Sequence, residues 1–508
     1  MPTIAGTLRL TAARVPDREA LVHGDVRHSY AELDAHVDRV AAVLLERGVA
    51  KGDRVALMST NSDRFVIALY ATARVGAVVV PVNPASAAPE LDYLIRDSGA
   101  ATLIFDPTLS DAVRTAVANG LPDGLRIFAT YPAVEFEDLF ALAAEQPGGP
   151  VEVEVSESDN AEILYTSGTT GNPKGALFDH YRIMWEATAS IATIGLKDGD
   201  RLLHVAPFYH SAELNILLIP GTLIGATHVI HNSFDPVKVL ETLERERVTL
   251  FFGVPTMFQL LLRQPNLAKL DLTAWRTGLF GAAPMPASAV QQLVAAFPSV
   301  EFMNLCGQTE AGPGGIFLNH QQVLERPEAS GRQALITMEV RIVDPEGNDV
   351  APGEVGEMIL RGVTMMKEYW NKPEATAETL VDGWIHTGDL TRLDADGYMT
   401  LVDRLKDMII TGGHNVYSVE VENAIAAHPA VLDCAVVSRP HEIYGESIVA
   451  VAVIDAGASL DLAALREFCG SRITHYKLPH DLVIVDSIPR NPSGKILKRI
   501  VRKTIAAE

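Results

Sequence analysis

The residues from Tyr165 to Gly175 have the composition of a site that holds phosphate. Gly168, Gly171 and Gly175 free the backbone to curl around an anion. Thr166, Ser167, Thr169 and Thr170 supply hydroxyl donors, and Lys174 supplies charge. That combination is the chemistry of a phosphate-cradling loop. An apolar run, Ala161 to Leu164, leads into it and reads as a strand. No Gly-Lys-Ser/Thr closes the loop, so it is not of the Walker A kind. A flexible linker would need neither a lysine in a fixed place nor a buried strand leading in.

Six further segments of distinctive chemistry follow in order: Pro207-Phe208-Tyr209-His210; Gly281-Ala282-Ala283-Pro284-Met285; Asn304-Leu305-Cys306-Gly307-Gln308-Thr309-Glu310; Gly383-Trp384-Ile385-His386-Thr387-Gly388-Asp389; Asp403-Arg404-Leu405-Lys406-Asp407, with Gly412-Gly413 just beyond; and Pro489 to Lys495. Together with the loop they resemble the signature motifs of the adenylate-forming superfamily, which includes acyl-CoA synthetases, luciferases and the adenylation domains of peptide synthetases. The likeness covers residues 10–505 and is closest to acyl-CoA synthetases of the fatty-acid–CoA ligase type. One such motif is modest support; seven in order leave little room for coincidence.

The resemblance implies a two-step reaction. A carboxylate attacks the α-phosphorus of ATP and releases pyrophosphate; a thiol, that of CoA, then attacks the acyl-adenylate and releases AMP. It implies Lys495, Glu310, His210 and Lys174 as catalytic residues, with Lys495 serving adenylation alone. ATP would be held by Thr166, Ser167, Gly168, Thr169, Thr170, Gly171 and Lys174 at the phosphates. Gly281, Ala282, Ala283, Asn304 and Cys306 would border the adenine and Asp389 the ribose, with Gly307, Thr309 and Arg404 as further ATP-binding residues. Mg²⁺ would sit on Thr170 and Glu310, since it needs hard oxygen ligands. The acid would lie against His210, Ser211, Glu213, Gly281, Gly307 and Gly312. Lys406 would be the hinge about which a lid turns, bringing Gly412 and Gly413 to line a thiol tunnel. The cofactors implied are ATP, Mg²⁺ and CoA, or the phosphopantetheine of a carrier protein.

Several positions keep two readings. Cys306 stands where the family carries an aromatic; base–aromatic stacking is worth about 1–3 kcal/mol, so its loss implies weaker ATP binding or another wall against the adenine. Glu213 is either a solvated acid at a helix end, the favoured reading, or a polar reader of the substrate. Lys498, Arg499, Arg502 and Lys503 form either a solvated helix face or a basic patch for CoA or an acidic carrier. The small and apolar residues near the proposed pocket favour a fatty or other apolar acid with CoA as acceptor. The alternative is an acyl-ACP ligase or stand-alone enzyme loading a carrier protein.

Composition narrows the class. The 508 residues suffice for two or more domains, and 48% apolar with 21% charged residues is ordinary for a soluble enzyme. Against 42 basic residues stand 64 acidic ones, a formal charge of −22, which disfavours nucleic acid as a partner. Three scattered cysteines without a C-x-x-C pair suit a reducing, cytoplasmic setting. The uncharged stretch Leu214–Phe234 is long enough to span a bilayer. Its proline, glycines and polar residues favour a buried helix followed by a strand, so no transmembrane segment is expected.

The elements that must position these groups read as an α/β fold. Ser29 to Glu32 is a capping box, and Leu33, Val37, Val40, Ala41, Leu44 and Leu45 recur at helical spacing after it. Arg54–Met58 reads as a strand, Asp63–Val75 as a helix and Ala77–Val82 as a buried strand. This alternation predicts mainly parallel sheets flanked by helices, with the phosphate loop at a strand end, where such sheets bind ligands. The last hundred residues change rhythm: helix Val419–Ala427, strands Val431–Ser438 and Ser447–Ile454, helix Leu462–Ile473, strand Leu482–Ile488. The expected organisation is a large N-terminal domain, 1–403, a hinge at 404–407, and a small mobile α+β lid at 408–508.

Overall fold

The computed structural model describes residues 3–166, 172–490 and 496–506. Ser167, Gly168, Thr169, Thr170, Gly171 and Lys495 therefore lie outside the described residues.

The first long helix, Tyr30–Glu46, starts where the capping box places it. The Ser29 side chain accepts from the Glu32 N–H, and the Glu32 carboxylate accepts from the Ser29 N–H. Of its apolar stripe, Leu33, Val37, Val40, Ala41 and Leu44 are buried in a core cluster, against the helix Asp63–Arg74, whereas Leu45 falls on the solvent side and is exposed. Among the described residues the strands form four sheets. In an eight-stranded sheet, Arg54–Met58 lies between Val78–Val82 and Thr102–Phe105, parallel to both. In a nine-stranded sheet, Arg201–His204, Leu250–Gly253, Thr277–Gly281 and Glu301–Gly307 run parallel in that order. Both faces of these strands are covered, which is why they read as nearly unbroken apolar runs. A five-stranded antiparallel sheet includes Val355–Gly362, Trp384–Leu393 and Met399–Arg404.

The C-terminal part is a smaller β-rich unit. The helix Ser418–Ala426 precedes an antiparallel pair, Val431–His441 and Gly445–Ile454. The helix Leu462–Gly470 follows, and then the strand Asp481–Ile484, parallel to the second of the pair. The last helix, Lys498–Ala506, buries Val501 and Ile505 against Ala435, Val437 and Val449. The uncharged stretch after Glu213 is buried, as its polar interruptions imply. It forms a π-helical turn Ala212–Leu218, a helix Ile219–Ile224 and a strand Thr227–Ile230. No helix among the described residues is long and apolar enough to cross a membrane.

Asn61 links the two large sheets. It follows the strand Arg54–Met58 of one sheet and reaches the segment leaving Arg201–His204 of the other. Its amide donates to the Ala206 carbonyl at 2.8 Å and its carbonyl accepts from the Phe208 N–H at 2.8 Å. Phe208 stacks on Phe65, ring centroids 5.4 Å apart. This clamp sets the segment that carries His210. Asn61→Ala strands a buried N–H and a buried C=O, each costing about 1–3 kcal/mol. The urea unfolding midpoint should fall accordingly, and an unchanged midpoint would show that the clamp is dispensable.

Candidate active site

A cavity of about 810 Å³ opens where the ends of the two sheets, the antiparallel sheet and the last helix converge. It brings together many of the residues singled out by sequence: Thr166, Lys174, His210, Ser211, Glu213, Ala282, Cys306, Gly307, Thr309, Glu310, Arg404 and Lys406 all line it. So do Ile496 to Ile500, which follow directly on Lys495. Gly281, Ala283, Asn304, Gly312 and Asp389 stand behind or beside the wall. Gly412 and Gly413 form an exposed turn between the short strands Ile409–Thr411 and His414–Val416 and do not reach the cavity.

The two ends of the phosphate loop are fixed by strand pairing. Asn160–Thr166 and Lys174–Asp179 run antiparallel, with Thr166 opposite Lys174, so the loop closes a hairpin. The Thr166 hydroxyl donates to the Lys174 carbonyl at 3.4 Å. The Lys174 ammonium lies 4.9 Å from the centre of the Tyr369 ring. Tyr369 in turn donates its hydroxyl to Glu310 Oε1 at 2.7 Å. One aromatic side chain thus holds the cation and the acid in place, and sequence gave no signal for it. Burial and the Glu310 charge push the Tyr369 phenol up, so it stays a donor.

Two glycines are fixed by close approach of backbone. A Cβ at Gly281 would collide with the Leu305 carbonyl of the adjacent strand, and one at Gly307 with the carbonyls of Pro313 and Gly314. The same holds for Gly312 against Thr364. Ala282, a non-glycine with φ of +65°, turns the chain into the cavity. The Asn304 amide donates to the carbonyls of Ala329 and Ser330 at 3.2 and 3.4 Å, which ties that segment to the strand.

On the antiparallel sheet, Asp389 and Arg404 are cross-strand partners, and Arg404 Nε lies 2.8 Å from Asp389 Oδ1. Glu357, which sequence did not single out, accepts from the Gly388 N–H at 2.8 Å and pairs with His386 Nδ1 at 2.7 Å. It fixes the turn just before Asp389. Desolvation and the neighbouring Arg404 push the Lys406 ammonium down to about 8.

In the basic tail, Lys498 pairs with Glu422 at 2.8 Å and Arg502 with Asp407 at 2.9 Å. Arg499 and Lys503 alone of the four are exposed. Lys498 and Arg502 are thus braces rather than part of a solvated face, while Arg499, which lines the cavity, and Lys503 are left exposed.

At the opposite end the wall is dry. His210 is partly buried, its Nε2 is enclosed without a hydrogen-bond partner, and desolvation pushes its imidazole down to about 4. The Ser211 and Thr309 hydroxyls bond to each other at 3.0 Å. Glu213 overturns the favoured sequence reading of a solvated helix end: it is 0% exposed. The preceding strand and the one after the helix close over it, supplying His204 and His228. His204 Nδ1 lies 2.6 Å from Glu213 Oε1, and His204 Nε2 lies 2.9 Å from His228 Nδ1. The chain of contacts ends at Thr222, 3.1 Å from His228 Nε2.

The chain resembles known proteins along nearly its whole length. The model of the AMP-binding enzyme family matches residues 8–370, and that of the AMP-binding enzyme C-terminal domain matches residues 420–495. Feruloyl-CoA synthase of an Amycolatopsis species is 40% identical over 96% of each chain. The long-chain-fatty-acid–CoA ligase FadD13 of Mycobacterium tuberculosis is 36% identical over 100% of this chain and 99% of its own. The solved structure of ATP-bound MatB from Rhodopseudomonas palustris superposes with a TM-score of 0.90 at 32% identity, covering 98% of both chains.

A further acid lies beneath the cavity. Glu162, on the strand leading to the phosphate loop, is 0% exposed and accepts from the Asn215 amide at 3.2 Å. Burial pushes its carboxyl from 4.5 up to about 7. The folded state therefore keeps a proton that the unfolded chain releases. Its contribution costs nothing below about pH 4.5 and destabilises progressively as pH rises towards 7. Glu162→Gln should remove that slope, gaining on the wild type by up to about 1.4 kcal/mol per pH unit across this window. Unfolding curves at pH 5, 6 and 7 check it; parallel curves would mean the acid is ionised in the folded protein.

Proposed function

This chain belongs to the AMP-binding enzyme family, and from that premise we propose that it is an ATP-dependent acid–CoA ligase. The acid carboxylate attacks the α-phosphorus of ATP and pyrophosphate leaves; the CoA thiol then attacks the acyl carbon, giving thioester, AMP and a proton. One observation carries the reading: a single cavity unites Lys174, Glu310 and Arg404 at one end with a dry, largely apolar wall at the other.

In this reading Lys174 and the loop residues Thr166 to Gly171 take the phosphates. The Tyr369–Glu310 pair fits Mg²⁺, because such ions are held by one or two carboxylates, with substrate phosphates and water completing the shell. No cluster of three or more His, Cys, Asp or Glu that could cage a metal occurs among the described residues. The ion would neutralise phosphate charge. Asp389, held by Arg404, takes the ribose hydroxyls. Ala282, Ala283, Cys306 and Gly307 border the adenine, with Asn304 bracing the segment beside it. His210, neutral and with a nitrogen to spare, meets the substrate carboxylate.

The lid position suits the first step, since the residues following Lys495 line the cavity while Gly412 and Gly413 face outwards. Rotation about Lys406, between units 1–403 and 408–508, would exchange them. CoA is the favoured acceptor because the relatives are named as CoA ligases. Arg499 and Lys503 are placed to meet its phosphates. A carrier-borne phosphopantetheine remains the second acceptor, and the setting proposed is the cytoplasm, where ATP and CoA are at hand.

Lys495→Ala should lower pyrophosphate release by about 10²–10³, yet still convert a supplied acyl-adenylate and CoA to thioester. Gly413→Leu should release pyrophosphate and fail at the second step. Equal loss of both half-reactions in both variants would sink lid exchange, and release of ADP and phosphate in place of AMP and pyrophosphate would sink the adenylate.

A further inference from the structure

One carboxylate outside the cavity ties the supports of the phosphate loop together. Asp97 lies near the end of the helix Ala88–Ser98, which the left-handed Gly99 closes. Helix carbonyls concentrate partial negative charge at that end, so an acid there is locally disfavoured. Its side chain is nonetheless only 8% exposed, and three donors converge on it. The Tyr165 hydroxyl donates to Oδ2 at 2.8 Å, the Lys372 ammonium donates to Oδ1 at 2.5 Å, and the Tyr93 hydroxyl stands 3.2 Å from Oδ1.

Each donor belongs to a different support. Tyr165 is the residue before Thr166, at one end of the loop. The Tyr93 hydroxyl also lies 2.9 Å from the carbonyl of Pro173, the residue before Lys174 at the other end. Its one proton therefore faces two acceptors, with the shorter contact to Pro173. Lys372 comes three residues after Tyr369, in the segment that runs along the strand leaving the loop. There Tyr369 is paired with Ala176, and the Trp370 N–H donates to the Gly175 carbonyl at 2.7 Å. Tyr369 is the side chain that holds Lys174 and Glu310.

The surroundings keep these contacts in one protonation pattern. Burial and the neighbouring Asp97 push the Tyr93 and Tyr165 phenols up, and the hydrogen bond to Asp97 raises the Lys372 ammonium. Both phenols stay donors and Lys372 stays a cation, so the carboxylate is balanced and does not oppose an arriving polyanion. Asp97, Tyr93 and Lys372 stand outside the cavity wall, so none of them meets a ligand there.

We propose that Asp97 is a positioning residue for the β- and γ-phosphates of ATP: it joins both ends of the phosphate loop to the segment of Tyr369 and so sets Lys174 and Glu310 against the phosphates. The inference rests on the acid–CoA ligase reading and adds a residue which that reading does not use. Groups that meet a ligand keep their spacing where a second layer of contacts locks them. At metal sites the loss of one such outer contact costs about 10–100-fold in affinity or activity.

The test is calorimetric binding of Mg·ATP, and of AMP, which has no β- or γ-phosphate, to the wild type, Asp97→Asn and Tyr93→Phe. Asparagine keeps the volume of Asp97 but has one acceptor oxygen in place of two and no charge to balance Lys372. Asp97→Asn should weaken Mg·ATP about tenfold or more and change AMP by less than about twofold. Tyr93→Phe removes a single oxygen and leaves the carboxylate in place. It should weaken Mg·ATP about threefold with AMP again held, and it carries the test if Asp97→Asn does not fold. A residue that served stability alone would lower the unfolding midpoint and move both ligands together or neither. Equal loss of ATP and AMP, or undiminished Mg·ATP affinity in the folded variants, overturns the inference and leaves the ligase reading intact. Binding of neither Mg·ATP nor AMP to the wild type would remove the ligase reading itself.

Discussion

A carboxylate reaches a phosphate only where fixed positive charge outweighs their repulsion, and this chain has 22 more acidic than basic residues. Its site depends on which cations are kept from being neutralised elsewhere. Many are taken up in structure: Arg74 lies 2.9 Å from Asp38, and Arg201 lies between Glu19 and Glu246 at 2.8 and 2.9 Å. Lys174 instead faces an aromatic ring, and Lys406 opens onto the cavity. Local placement of a few cations, rather than net charge, makes an acidic protein able to bind anions.

The placement comes from strand ends. The phosphate loop closes an antiparallel hairpin at the edge of a parallel region, Ala282 to Met285 and Gly307 to Glu310 leave parallel strands of the second sheet, and Asp389 and Arg404 face each other across the antiparallel sheet. Strands are stiff relative to loops, so groups carried at their ends keep their spacing. Asn61 ties the two large sheets together through backbone groups next to His210. Tyr369 does similar work between Lys174 and Glu310.

The cavity has two electrostatic regimes. Its mouth is charged and bordered by the lid. Its far end is closed in, and there desolvation pushes the carboxyls of Glu186 and Glu213 up and the imidazoles of His204, His228 and His210 down, each towards its neutral form. A charged mouth and an apolar far end are thus set by burial gradients within a single wall.

The sequence alone determined the motif order, the catalytic and nucleotide-contacting candidates at the cavity, and nearly every secondary-structure element tied to a local signal. The capping box at Ser29 and Glu32, the apolar periodicity after it, and the strand–helix rhythm of the C-terminal unit are properties of neighbouring residues, and short-range chemistry suffices to read them. Tertiary structure alone decided the rest. Glu213 reads locally as a polar helix end; it becomes a buried acid only because two strands, 9 and more residues away, set His204 and His228 against it. Gly281 reads as room for a base; the structure shows that its missing side chain first makes room for the Leu305 carbonyl. Glu186 and Tyr369 carry no motif at all. Burial, and with it protonation, is set by whatever the rest of the chain packs around a group, and no window of sequence contains that information.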